Sequence, residues 1–257
     1  MKKASLFPLG ASMLLCSCSY ISHTVSGDYH YQDAENYQPL EGKVSLSEIN
    51  KIDIGWLSGR IILQSEGDTL SFYEEEVKMK KYLPLYYRVK DNTLSIHYVK
   101  SLTTNQELQN VDKVFYLNIP KGDAELSIDS VSGSIEAEDL QFSSLSLDTV
   151  SATFHATSLD CVTTKINTVS GNVKIDSLSS SAVSIDFDSV SANLTVGTED
   201  GYHVSFDTVS GIFRSYQSNE KKYGSEKLHI TADTVSGSVS IVKPAVYVNS
   251  GHLTKGC

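Results

Sequence analysis

A five-residue phrase, Asp/Asn-Ser/Thr-Val-Ser-Gly/Ala, returns six times between Leu126 and Ile241 and constrains this chain more than any other feature. Its copies begin at Asp129, Asp148, Asn167, Asp188, Asp207 and Asp233, at intervals of 19, 19, 21, 19 and 26 residues. Self-similarity at such a period marks a stacked repeat, each unit being one lap of the backbone. A single lap cannot bury its apolar stripe alone, whereas neighbouring laps together build a continuous core. The expected fold is all-β: a β-solenoid, or single-stack β-helix, with coils of about 20 residues and parallel strands roughly 4.8 Å apart.

Successive strand side chains point to opposite faces, so parity assigns an inside and an outside to every copy. The residues three and one before the Asp/Asn are apolar, as in Leu126 and Ile128, Leu145 and Leu147, Ile185 and Phe187, Val204 and Phe206. After it come Val at two, Gly or Ala at four and an apolar residue at six, as in Val150, Ala152 and Phe154. Reading all of these as inward makes parity slip once, at the Asp-Ser/Thr pair, where a corner or bulge is expected. Asp129, Asp148, Asn167, Asp188, Asp207 and Asp233 then form a structural turn ladder, each short acceptor holding the bend through a backbone N–H. Gly or Ala at the next inward site marks a pinch too narrow for a large side chain. Ser132, Ser151, Ser170, Ser191, Ser210 and Ser236 face outward and form a candidate interaction face. Such a hydroxyl row suits a glycan or ordered water, and equally suits a tightly twisted exposed sheet.

With 257 residues, 40% of them hydrophobic, the chain can bury one sizeable core and is not disordered throughout. A formal net charge of -10 argues against nucleic acid or bare anionic membrane as a partner, since both would repel it. The four cysteines, Cys16, Cys18, Cys161 and Cys257, show no paired metal-ligand spacing. A Cys161–Cys257 disulfide stays open as an alternative in an oxidising compartment.

Lys2 and Lys3 precede an apolar run from Ala4 to Leu15 that is too short to span a bilayer comfortably. The following Leu15-Cys16-Ser17-Cys18 resembles the lipobox of bacterial lipoproteins, with Ser17 as the small residue before the modified thiol. That resemblance implies a lipoprotein signal peptide over 1–18 and lipidation of Cys18 by acyl chains such as palmitate; an ordinary secretory peptide is the other reading. Acyl chains contribute roughly 0.8 kcal/mol per buried methylene and would hold an acidic protein on a membrane.

Residues 19–43, polar and Tyr-rich, read as a flexible tether. Residues 44–122 read as an N-terminal β region with degenerate coils, in which Ile52, Ile54, Leu57, Gly59, Ile61 and Leu63 point inward. Regular repeats fill 123–248, and 249–257 form a C-terminal tail. Ser218–Ser225 reads as a polar loop bulging from the stack, Glu74–Lys81 as a charged loop, and Ala245–Val248 as a last strand after Pro244.

Ile52-Asp53-Ile54-Gly55-Trp56-Leu57-Ser58-Gly59, the strand Leu94-Ser95-Ile96, the step Leu117-Asn118-Ile119-Pro120-Lys121-Gly122 and the serial Val-Ser-Gly/Ala phrases together resemble a bacterial family of unknown function that carries an adhesin label. The resemblance spans Ile49 to Val242. It implies an exported or membrane-anchored β-solenoid, located at the cell envelope outside the cytoplasm, and brings no catalytic residues.

No nucleophile elbow, phosphate loop, paired-histidine or calcium-loop pattern is present, and neither a catalytic residue, a metal nor another cofactor is expected. The Asp column could place hard oxygen ligands one coil apart for cations, but structural turns account for it more simply. His155, His203 and His229 are read as lying at unlike positions in their coils. The expectation is a non-enzymatic, lipid-anchored envelope protein that binds an extracellular glycan or protein. A carbohydrate-active enzyme on a β-helix scaffold and a structural or envelope-stress component acting through a partner protein are the alternatives.

Overall fold

The computed structural model describes residues 28–75, 82–178 and 183–245. The expected signal peptide with Cys18, residues 76–81 of the expected charged loop, Cys257 and residues 246–248 of the expected last strand lie outside them, and Glu74 and Glu75 of that loop belong to a strand.

Within the described residues the backbone makes eight coils, each giving one strand to each of two sheets. Coil 1 is Lys51–Trp56 with Arg60–Gln64; coil 2 is Thr93–His97 with Val114–Asn118; coil 3 is Glu125–Ser130 with Ser134–Ala137. Coil 4 is Leu140–Thr149 with Thr153–Ala156, coil 5 Leu159–Thr168 with Val173–Ile175, and coil 6 Val183–Ser189 with Asn193–Gly197. Coil 7 is Tyr202–Thr208 with Phe213–Ser215, and coil 8 Leu228–Thr234 with Ser238–Val242. Neighbouring coils pair in parallel and in register, so Leu126, Leu145, Thr164 and Ile185 form one inward file. The fold is the expected β-solenoid, with a core shared by both sheets.

Coil order in space is not chain order. Both sheets run 2-1-3-4-5-6-8-7, so the first two coils and the last two are exchanged in the same way. The 26-residue interval between Asp207 and Asp233 follows from this exchange. After coil 7 the chain must return past its own edge so that coil 8 can enter between coils 6 and 7. Residues of the expected bulging loop take part, with Lys222–Tyr223 pairing antiparallel to Tyr202–His203. At the other end antiparallel strands cover coil 2: Tyr86–Lys90 on one sheet and Leu70–Glu75 on the other. Covering open edges in this way removes templates for unwanted strand pairing.

Two expectations at this end need correction. The segment expected to be a flexible tether packs from Tyr29 onward, and Tyr29, Tyr31, Tyr37 and Leu40 are buried in the core. Tyr31 stacks on His97 with ring centroids 3.8 Å apart, and the Tyr98 N–H donates to the Tyr29 hydroxyl at 3.2 Å. In coil 1, Trp56 is buried, while Leu57 and Gly59 are only half-buried.

The corner also lies elsewhere than parity suggested. Val150, Val169, Val190 and Val209 are 38, 41, 39 and 69% exposed, whereas Thr149, Thr168 and Ser189, one residue earlier, are buried. The valines still follow one another coil by coil, but they face water. Strands run straight through the Asp-Ser/Thr pair, and the direction changes at Val-Ser, where two successive residues face outward. The physical reason is that a hydroxyl closes the corner: the buried Thr168 Oγ1 accepts from the Gly171 N–H at 3.0 Å, and in the end coil the exposed Thr208 Oγ1 accepts from the Gly211 N–H at 2.7 Å. The expected pinch is present just beyond. A Cβ on Gly171 would lie 1.8 Å from the Ala152 carbonyl oxygen, and one on Gly237 2.1 Å from that of Ala192.

Candidate functional site

The serine row and the aspartate row exchange the positions expected of them. In each copy the serine follows the outward valine, at the corner, where its N–H and the carbonyl of the next coil's valine come together. The Ser151 N–H donates to the Val131 carbonyl at 2.9 Å and its hydroxyl donates to the same oxygen at 3.2 Å. Ser170 repeats this with Val150, Ser210 with Val235 and Ser236 with Val190; Ser132 does so with Leu57. Ser191 donates its N–H to Val169. The serines therefore form the corner ladder. Five of the six are exposed and Ser132 is half-buried, but five of the hydroxyl protons are already committed to the fold.

The aspartates lie instead on the outer face of the eleven-stranded sheet. In-register pairing makes one row across it, from Asp129 through Asp148, Asn167 and Asp188 to Asp233 and Asp207. Asp129 is buried, Asp148 and Asn167 half-buried, and the last three exposed. Parallel strands set adjacent carboxylates about 5 Å apart. Asn167 breaks the repulsion by donating its Nδ2 to Asp148 Oδ1 at 2.6 Å. Burial, then the charges of Asp148 and Asp53, push the Asp129 carboxyl up to about 7. Burial also raises Asp188, with Asp233 and Asp186 adding to it. Asp53 is raised by burial against the opposing pull of Lys51, 3.4 Å away. Among the described residues no group of three or more His, Cys, Asp or Glu side chains is arranged to hold a metal ion.

Sequence reading missed three features. Asp53 joins the acidic surface beside Asp129; the alternation of Ile52 and Ile54 around it signalled an outward residue. Asp176, buried just after coil 5, binds His155 Nε2 at 2.6 Å and Lys174 Nζ at 2.6 Å. His203 and His229, taken to sit at unlike positions, are register partners with ring centroids 5.7 Å apart. Each precedes its Asp by four residues, a signal available in the chain. Cys161 is buried and free, with its thiol donating to the Thr163 carbonyl at 3.0 Å.

Several solved structures resemble this one. A candidate cell-adhesion protein from Clostridium sporogenes shares 15% identity, covering 80% of this chain and 100% of its own, with a TM-score of 0.46. A candidate adhesin from Bacteroides fragilis shares 16%, covering 79% and 98%, with a TM-score of 0.40. One from Parabacteroides merdae shares 13%, covering 81% and 97%, with a TM-score of 0.33. A comparison with curated proteins finds no match. The model of the Toastrack DUF4097 family matches residues 49–250, which spans the solenoid from before coil 1 to beyond coil 8. The chain belongs to the Toastrack DUF4097 family.

Proposed function

We propose that this protein is a lipid-anchored cell-envelope module that makes adhesive or other surface contacts without catalysing a reaction. The observation that carries the reading is Leu15-Cys16-Ser17-Cys18 after a basic start and an apolar run, ahead of a rigid solenoid. Acyl chains on Cys18 would hold the acidic body at a membrane that its own charge does not favour. The body offers two broad sheet faces fixed by in-register ladders, a geometry suited to display. The partner is an extracellular glycan or protein.

The test has two parts. Full-length protein should label with fatty acid and partition with membranes, and Cys18→Ser should abolish both. Cells displaying the native protein should adhere to an immobilised glycan or matrix-protein surface, and Cys18→Ser cells should not. Fatty-acid labelling that persists in Cys18→Ser rejects the anchor; equal adhesion with and without the protein rejects the contact role.

One observation favours the second reading, a carbohydrate-active enzyme. Glu136, His155 and Lys174 are adjacent on the outer face of the ten-stranded sheet, with Asp176 behind His155. Release of reducing ends from a polysaccharide panel, lost in His155→Ala, would establish it over the non-catalytic reading.

A further inference from the structure

A cleft of about 530 Å³ opens at the coil 2 end of the ten-stranded sheet, away from both repeat rows. Antiparallel pairing there sets Tyr73 directly opposite Tyr116. Their rings stand parallel, 4° apart with centroids separated by 4.7 Å, so each covers one face of the other. Tyr73 nevertheless remains 37% exposed and lines the cleft. The Tyr116 hydroxyl donates to Glu75 Oε2 at 3.1 Å, which fixes the pair's orientation. In the regular coils the same row carries Glu136, His155, Lys174 and Thr195, so the aromatic pair is particular to this end.

The wall opposite is held in place. Asn118 Nδ2 donates to the carbonyls of Glu66 and Thr69 at 2.7 and 3.0 Å, and its Oδ1 accepts from the Glu66 N–H at 2.6 Å. Ser65 Oγ donates to the Ile119 carbonyl at 2.7 Å. A turn fastened in this way forms the cleft before any ligand arrives, so little ordering cost falls on binding. The lining side chains of Lys43, Gln64 and Asp68 make no bond to other described residues and are available to a ligand.

We propose that this cleft binds a short neutral glycan, stacked against Tyr73 and hydrogen-bonded by Gln64, Lys43 and Asp68. It rests on the surface-contact reading and names its ligand class. The volume lies in the roughly 300–1,000 Å³ range of small-molecule sites. Lys43 stands against Glu66 and Asp68, so the lining carries a slight negative excess and gives no cluster of cations for a phosphate, sulfate or sialic acid. A neutral sugar matches the remaining chemistry. Its C–H face packs on an aromatic ring, and its hydroxyls both donate to carboxylate and amide oxygens and accept from amide and ammonium N–H groups.

The experiment uses full-length protein in detergent micelles, titrated calorimetrically with cellobiose, maltotriose, chitobiose and N-acetyllactosamine, and with sialyllactose and a sulfated disaccharide as charged probes. At least one neutral sugar should bind, Tyr73→Ala should weaken it by about tenfold or more, and Tyr73→Phe should keep it within about threefold. Arg214→Ala, exposed on the same sheet face but in coil 7 at the far end of the stack, should leave it unchanged. Binding confined to the charged probes, neutral binding that Tyr73→Ala does not move, or no binding of any neutral sugar at millimolar concentration would overturn the proposal. Adhesion of cells displaying the protein separates the two readings. Adhesion without neutral-sugar binding sinks only the cleft, and sugar binding without adhesion sinks only the contact role.

Discussion

Replacing Asp129 by Asn should stabilise the protein at alkaline pH and do almost nothing in acid. Asp129 is 7% exposed, with the carboxylates of Asp148 and Asp53 nearby. Its rise from 3.8 to about 7 corresponds to roughly 4 kcal/mol of penalty on the ionised form. The folded carboxyl holds its proton more tightly than the unfolded one. Folding is therefore favoured while the group is protonated, and stability falls as pH rises from about 4 to about 7, with the full loss present above that. An amide cannot ionise, and the same row already carries one at Asn167, bonded to Asp148 from the other side. Water reaching the rim and rotation of Asp148 relieve part of the penalty, so the expected gain at pH 8 is about 2–4 kcal/mol, shrinking to within about 0.5 kcal/mol at pH 3.5. Urea unfolding followed by circular dichroism at both pH values measures it, provided the slope m is unchanged. Equal differences at the two pH values, or a variant less stable at pH 8, would refute the reasoning.

Other substitutions probe other parts of the fold. Gly171→Ala drives a Cβ into the Ala152 carbonyl and should cost about 2–4 kcal/mol, while Ala152→Gly, at the same corner position one coil away, should cost about 0.5–1 kcal/mol; thermal melts compare them. Ser170→Ala removes a 3.4 Å hydroxyl bond to the Val150 carbonyl but keeps the N–H bond, so a loss of only about 0.5–1 kcal/mol in urea unfolding is expected. Burial lowers the His97 imidazole from 6.5 to about 3, so the unfolded chain binds the extra proton and stability falls as pH drops from about 6.5 toward about 3; in His97→Gln this limb of the profile should flatten. A chain ending at Lys227 lacks coil 8, the parallel partner of coil 7, and limited proteolysis should then cut within 202–215 while coils 3 to 6 stay protected.

The repeat period made the solenoid legible, and the approach strands were legible residue by residue, because Leu126, Ile128, Leu145 and Leu147 obey period two without interruption. The corner was not. Alternation reports relative facing along a strand and loses its phase wherever the strand bends. There hydropathy favoured Val over Thr for the inside, yet Thr168 is inside because a buried backbone N–H needed its oxygen. The wrong phase then exchanged the Asp and Ser rows. The tyrosines of the expected tether could not be placed for a different reason: Tyr29, Tyr31 and Tyr37 pack on the end of a core, where no neighbour repeats and no period marks them. Exchange of the last two coils could not be read either, since strands carrying the same phrase are interchangeable as parallel partners; only the 26-residue interval hinted at it.

These observations bear on where such a fold can recognise anything. In the middle coils the repeated polar groups largely serve the stack: serine hydroxyls bond valine carbonyls, inward threonines close corners, and Asn193 Nδ2 bonds Asn172 Oδ1 at 2.9 Å. A ligand would have to compete with those bonds and would meet much the same surface at every coil, with little to fix its position. Where the repeat stops, both conditions change. The antiparallel strand Leu70–Glu75 brings its own side chains into the sheet, free of the repeat's register demands, and sets Tyr73 and a fastened turn beside groups that the ladders do not use. The strands that protect the open edge thus also supply a cleft whose aromatic pair is not repeated along the stack. A substitution in the ladders should therefore act on stability with little change in binding, and a substitution at Tyr73 on binding with little change in stability.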